Sequence, residues 1–238
     1  MMKTRIILFI ALLSKLTLFS AAAQEPVIQH RPYIDQRQLH YGFFVGLNMM
    51  DMEFNNNGYI DPASGQQWYS EIDNYQPGFS VGVLGELRIN KTLGLRIQPT
   101  IHFGQKHVVF HEQLSGRDST QNIKSTYISV PINLKIAAPR YNNFRPYATI
   151  GLAPTLDLTT RKHQALLTEK TDCYVEIGAG CDFYLPFFKL IPELKFCFGL
   201  RDILVHNRND LIDESLLKYT KAIDKSTAHM IVFTLFFE

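Results

Sequence analysis

Eight stretches of this chain alternate apolar and polar residues with a period of two, and the connections between them are long and short in strict turn. A period of two marks a β-strand with two unlike faces. Residues 38–48 set Leu39, Tyr41, Phe43, Val45 and Leu47 against His40, Gly42, Gly46 and Asn48. The same alternation runs through residues 78–90, 93–106, 127–136, 145–158, 173–183 and 190–201. An eighth stretch, 228–237, is apolar on both faces, so its phase stays open. Connections 48–77, 107–125, 159–171 and 202–227 are long, whereas 90–93, 138–143 and 185–189 are short. One face is Leu, Ile, Val and Phe almost throughout, and the other mixes Gly with charges. A soluble barrel also alternates, but an outer face this uniform on an exported chain suits lipid. The expectation is an all-β chain: an eight-stranded antiparallel transmembrane β-barrel of an outer membrane, with short turns and both termini in the periplasm and long loops outside.

Export is read from the N-terminus. Lys3 and Arg5 precede an apolar run from Ile6 to Leu13, and Ala21, Ala22 and Ala23 supply small residues for cleavage before Gln24. The domain reading is a signal peptide at 1–23, a periplasmic segment at 24–37 that is extended and unpaired, and a barrel at 38–238. Beyond the leader no run of eighteen apolar residues could form a spanning helix.

The whole chain has a formal charge of +2, but removing Lys3, Arg5 and Lys15 leaves 21 basic against 22 acidic residues. That balance gives no argument for nucleic acid. Cys173 and Cys181 fall in one strand, eight residues and about 26 Å apart, too far to bridge. Cys197 points to the other face. Free thiols are expected, with no zinc site. Aromatics gather at the short-turn side, Tyr41, Tyr141, Phe144, Phe183, Phe187, Phe188, Phe236 and Phe237, as an interfacial girdle would.

Alternation sends charges inward: Glu86, Arg88, Arg96, Lys135, Arg145, Glu176, Asp182, Glu193 and Lys195, with Asp157 and Arg201 in the same phase. These suit a structural network of ion pairs filling the lumen, since eight strands enclose an interior that side chains just fill. Pro99, Pro131, Pro146, Pro154 and Pro192 fall in strands, where each lacks a ladder donor. Pro146 sits near a strand end; the others imply bulges or bends.

Catalytic motifs are missing. The histidines are scattered and form no metalloprotease pattern, and there is no nucleophile elbow or phosphate loop. His107 or His111 with Ser115 and Asp118 supplies the residue types of a triad, but solvated loop residues would look the same. No enzyme activity, cofactor or metal is expected.

Tyr127-Ile-Ser-Val-Pro-Ile-Asn-Leu-Lys135, Arg145-Pro-Tyr-Ala-Thr-Ile-Gly-Leu-Ala-Pro154 and Gly42-Phe-Phe-Val-Gly-Leu-Asn48 resemble successive strands of the PorT-type outer-membrane β-barrels, and the terminal Phe-Phe-Glu is similar to a barrel-assembly signal. The resemblance implies a non-enzymatic accessory of the type IX secretion system, needed for protein export, with lipid and other secretion-system proteins as partners. Its contact surface would be the wall or the first loop, with Trp68, Tyr69 and Tyr75 as candidate anchors. The alternatives are a structural or adhesive barrel presenting its loops, and a barrel enzyme or small-solute channel.

Overall fold

A computed structural model describes residues 28–62, 65–113, 116–160, 165–208, 211, 213 and 216–238. The leader, its cleavage point and residues 24–27 lie outside the described residues. The strands are β1 (Leu39–Asn56), β2 (Trp68–Tyr75), β3 (Pro77–Arg88), β4 (Leu93–Ile97), β5 (Thr100–Glu112), β6 (Asp118–Ser129), β7 (Ile132–Ala137), β8 (Phe144–Asp157), β9 (Thr171–Tyr184), β10 (Lys189–Gly199) and β11 (Ile223–Phe237), with a short helix α1 (Leu217–Lys221) before the last. Strand β1 pairs antiparallel with β3 on one side and with β11 on the other, and β8 pairs with β9, so the sheet closes on itself. A circuit of the wall crosses eight strands: β1, β3, β5, β6, β8, β9, β10 and β11. The remaining three continue strands of that circuit, β2 leading into β3, β4 into β5, and β6 into β7.

Two of these interruptions fall at prolines, yet no residue is inserted there. Gly85 faces Ile97 and Gly82 faces Thr100; Ile97 faces Ile132 and Thr100 faces Ser129. The register therefore passes Pro99 and Pro131 unchanged, and the bulges expected at the strand prolines are not found. Pro146 and Pro154 lie within β8 and Pro192 within β10, also in unshifted ladders. Three prolines form an oblique seam: the Val83, Gln98 and Val130 N–H groups donate to the Pro99, Pro131 and Pro154 carbonyls at 3.1, 3.0 and 3.1 Å. Proline cannot return the bond, and side chains make up part of the loss. Thr100 Oγ1 donates to the Gln98 carbonyl at 2.6 Å, where Pro131 has no N–H to offer. Opposite Pro146, Arg145 Nε donates to the Ala138 carbonyl at 2.8 Å. True register shifts lie elsewhere, between Ile72 and Asn74 and between Asn55 and Asn56.

The strands at the loop end are longer than expected. β1 runs to Asn56, β2 begins at Trp68, and β5 and β6 form one hairpin through most of the second connection. Much of what reads as loop is therefore strand, and its two faces have exchanged character. Below this level, Phe43, Val45 and Leu47 point out of β1 while Asn48 points in; above it, Met50 and Met52 are buried inside while Asp51 and Glu53 point out. On β5, Ile101 and Phe103 outside with His102 inside give way to His107 and His111 outside with Val108 and Phe110 inside. On β11, whose phase the sequence left open, Ala228, Met230, Val232, Thr234 and Phe236 point inward, and Ile231, Phe233, Leu235 and Phe237 point outward. An apolar belt thus surrounds the short-turn part of the barrel, and the projecting part is built like a water-soluble barrel with its apolar side chains inside.

Candidate functional site

The lumen holds the densest chemistry of the molecule, and it is built in layers. Arg96, on β4, is fully buried at its centre. Its Nε donates to Glu86 Oε2 on β3 and its Nη1 to Glu193 Oε2 on β10, each at 2.7 Å. Glu86 lies directly across the ladder from Arg96, which explains the first contact; the second spans the lumen. Tyr147 lies under the guanidinium, 4.5 Å from ring centre to Cζ, and its hydroxyl donates to Glu193 Oε2. Lys135 Nζ reaches Asp182 Oδ2 at 2.8 Å and Glu86 Oε2 at 3.4 Å. Lys195 Nζ donates to Gln98 Oε1 at 2.9 Å and to Glu176 Oε2 at 3.3 Å, and Asn133 Nδ2 also serves Glu176 at 2.9 Å. Bulk on one strand is matched by glycine on the next. A Cβ on Gly180 would lie 2.4 Å from Tyr147 Oη, and one on Gly151 would lie 2.1 Å from Asn133 Oδ1. Glycine is needed at those positions to let neighbouring side chains cross the lumen.

Seven of the nine charges expected inside lie in this set: Glu86, Arg96, Lys135, Glu176, Asp182, Glu193 and Lys195. Arg88 and Arg145 do not. Both sit at the short-turn rim, where Arg88 Nη1 donates to the Asp35 carbonyl and Arg145 Nη1 lies 3.7 Å from Asp35 Oδ1. Asp157 is buried near the loop end and accepts from Thr159, while Arg201 is exposed beyond β10, with Nη1 3.3 Å from Thr171 Oγ1. The sequence reading missed Lys189, His40 and Glu238. Lys189 Nζ pairs with Glu238 Oε2 at 2.6 Å and lies 3.6 Å from Asp182, and His40 Nδ1 lies 2.5 Å from Glu238 Oε1. The signal was available: Lys189 shares the odd-numbered phase of Glu193 and Lys195, but it falls at the edge of a short turn. Phe236, placed with the girdle, is inside and packs on Phe44 at 4.7 Å between ring centres.

The short-turn mouth is covered. Residues expected to be extended and unpaired instead form a 3-10 turn, Ile34–Gln36, with Ile34 buried. Asp35 is the anchor: Tyr184 Oη donates to its Oδ1 at 2.7 Å, and Arg140 Nη1 lies 3.6 Å from its Oδ2. Arg31 Nη1 and the His30 N–H add contacts to the Glu238 carbonyl and to Asn143. A lone acid among arginines accounts for this ordering, which apolar patterning could not reveal.

Toward the loop end the charges give way to a polar layer, in which Asn48 Nδ2, Ser80 Oγ, His102 and Ser129 Oγ are linked at 2.8, 2.7 and 3.2 Å. Above it the interior is mostly apolar, with Met50, Met52, Val108, Phe110, Tyr219 and Met230 in one buried cluster, while Lys106, which donates to Tyr127 Oη at 2.5 Å, and Glu112 are buried beside them on β5. Trp68, expected as an exposed anchor, belongs to this cluster. It is 6% exposed and meets Tyr219 edge to face at 5.0 Å. Tyr69 and Tyr75 are exposed.

The residues of a possible triad do not assemble among the described residues. Ser115 lies outside them. His107 Nδ1 is 2.5 Å from Asn122 Oδ1, and His111 lies between Asp118 at 2.6 Å and Glu71 at 2.9 Å. Burial opposes the His111 imidazolium, but the hydrogen bonds and charges of Asp118 and Glu71 outweigh it and raise its pKa. No group of described His, Cys, Asp and Glu side chains could hold a metal ion. Cys173, Cys181 and Cys197 are free thiols.

A sequence model described as "Outer membrane protein beta-barrel domain" matches residues 22–205. No curated protein matches. Similar solved structures include Neisserial surface protein A, 9% identical over 84% of this chain and 98% of that one, TM-score 0.41. OprG from Pseudomonas aeruginosa is 12% identical over 84% and 92%, TM-score 0.41. Ail of Yersinia pestis, in complex with the heparin analogue sucrose octasulfate, is 13% identical over 84% and 99%, TM-score 0.36.

Proposed function

The chain belongs to the family of outer membrane protein β-barrel domains, and from that premise we propose that it is a non-enzymatic barrel with a closed lumen that acts by contact, as an accessory of protein export through a type IX secretion system. The observation that carries action by contact is the double closure: the Arg96-centred charge layer and the Met50–Phe110–Tyr219 layer are stacked in one narrow interior. A folded or unfolded polypeptide has no passage through such a lumen, so any part in export is played by surfaces. The secretion role itself rests on the likeness of Tyr127–Lys135 and Arg145–Pro154 to strands of the PorT-type barrels. With Trp68 inside, the contact surfaces are Tyr69, Tyr75, residues 58–62 of the first loop, and the wall. In this reading the short turns and both termini face the periplasm, as in barrels of this kind, and the leader is cleaved before Gln24.

Deleting the gene and assaying secreted and surface proteins tests the role. Loss of export, restored by wild-type protein but not by a chain lacking residues 58–65, fits a loop contact. Normal export in the deletion strain overturns the secretion role. A structural or adhesive barrel is the second reading. It is favoured by the projection of β1, β2, β5 and β6 beyond the apolar belt, which extends the sheet past the wall at the loop end.

A further inference from the structure

Residues 28–37 cross the short-turn mouth as a strap, and around it cations outnumber carboxylates. The strap and the turns at 89–92, 138–143 and 185–188 contain Arg31, Arg37, Lys91 and Arg140 but a single acid, Asp35. Arg88 and Arg145 add two guanidiniums at the ends of β3 and β8. Glu238, the terminal acid, is taken by Lys189, His40 and Arg31. Asp35 is therefore shared: its carboxylate accepts from Tyr184 Oη at 2.7 Å and lies 3.6 Å from Arg140 and 3.7 Å from Arg145. The other bonds of the three arginines go to neutral acceptors. Arg88 donates to the Asn90 and Asp35 carbonyls, and Arg145 to the Ala138 and Lys91 carbonyls. Arg140 donates to the His30, Arg31 and Asn142 carbonyls and to the Asn143 amide oxygen. Arg37 and Lys91 are exposed, and no carboxylate of the described residues pairs with either. The strap is lightly held. Its backbone-to-backbone bonds are internal to its own turn, so it adds no rung to the wall. Ile34 is buried, while Ile28 and Tyr33 are exposed. Its departure would leave every strand pairing intact and uncover Arg140, which stacks on Tyr184 with Cζ 3.6 Å from the ring centre.

We propose that this mouth is a docking site for an acidic polypeptide segment in the compartment that the termini face, and that Asp35 occupies it in cis as a built-in competitor. The strap shows what fits: a carboxylate between Arg140, Arg145 and Tyr184, on a backbone whose carbonyls accept from Arg140 and Arg88. The planar guanidinium matches a carboxylate at two points, and clustered arginines are a recurrent means of taking acidic segments. Asp35 offers one carboxylate to three guanidiniums, so a segment with two or more has the electrostatic advantage. Lipid is the poorer fit, because all three arginines meet the strap inside the mouth and so face away from the lipid-exposed wall. The site is separate from the loop and wall surfaces and does not depend on a part in export.

The test is fluorescence anisotropy of the refolded full-length barrel in neutral detergent, with a labelled decapeptide carrying three aspartates and with the same peptide carrying three asparagines. Asp35→Asn, which removes the competitor, should bind the acidic peptide at least tenfold more tightly than wild type and leave the neutral peptide unbound. In that background Arg140→Gln and Arg145→Gln should each weaken binding, and together abolish it, whereas Lys225→Gln, an exposed cation at the other end on β11, should not. Binding should fall as salt rises. With a spin label at Tyr33→Cys on a cysteine-free background, the acidic peptide should free the label while Asp35 is still in place. Heat-modifiable gel mobility checks that each variant is folded. Equal binding of the two peptides, no gain in Asp35→Asn, binding that survives loss of both arginines, a label that stays immobile at saturating peptide, or displacement of the peptide by equimolar phosphatidylglycerol would overturn the proposal. None of these readouts depends on export.

Discussion

Arg96 and Glu193 stand 97 residues apart in sequence and meet across the lumen, with Nη1 2.7 Å from Oε2 and both side chains fully excluded from solvent. Removing one member of a buried pair strands the other, at a cost of about 3–5 kcal/mol. Glu193→Ala or Arg96→Ala should therefore lower the temperature at which the folded barrel changes gel mobility. The double replacement Arg96→Met with Glu193→Leu should recover part of that loss. A double variant weaker than the sum of the singles would contradict a simple pair.

Closure predicts electrical silence. Wild-type protein in planar bilayers should show no large, steady conductance. A stable open level in every insertion would mean that the two interior layers do not close the passage together.

The proline seam predicts an uneven response to lost hydroxyls. Thr100→Val leaves the Gln98 carbonyl without the donor that Pro131 cannot supply, and should cost about 1–3 kcal/mol. Thr120→Val, at an exposed position in the β5–β6 hairpin, should change the same thermal readout by less than about 0.5 kcal/mol.

His111 predicts a pH dependence confined to the projecting strands. It lies beyond the belt and links β5 to Asp118 of β6 and Glu71 of β2. Its pKa is raised in the folded state, so its contribution is fully present below the unfolded value of about 6.5. That contribution is lost as pH rises through the higher folded value. Amide exchange in the β5–β6 hairpin should be better protected at pH 6 than at pH 9, after correction for intrinsic rates. His111→Gln should flatten the difference. An equal difference in the variant would assign it to other groups.

Topology is open to labelling. On a cysteine-free background, Gln113→Cys in the β5–β6 turn should react with an impermeant reagent on intact cells, and Lys91→Cys in a short turn should not. The opposite pattern would reverse the orientation.

The sequence by itself determined the eight-strand circuit, because burial on unlike faces forces a period of two that any local window displays. It also determined the inward phase of Glu86, Arg96, Lys135, Glu176, Asp182, Glu193 and Lys195, since register and side-chain direction are tied together. Only the tertiary structure decided which of these charges meet. Arg96 and Glu193 are joined by closure of the ring, and no local spacing encodes that contact. It likewise decided that Trp68 turns inward onto Tyr219 and that Asp35 draws residues 28–37 across the mouth, because both depend on partners far along the chain. The exchange of faces at Met50, Asp51, Met52 and Glu53 lies between these cases. Its alternation is visible in the sequence, but which face is inside follows only from the register that β1 shares with β11. Pro99 and Pro131 make the same point: sequence shows that a donor is missing, and only the assembled wall shows that Thr100 stands where it can repair the loss.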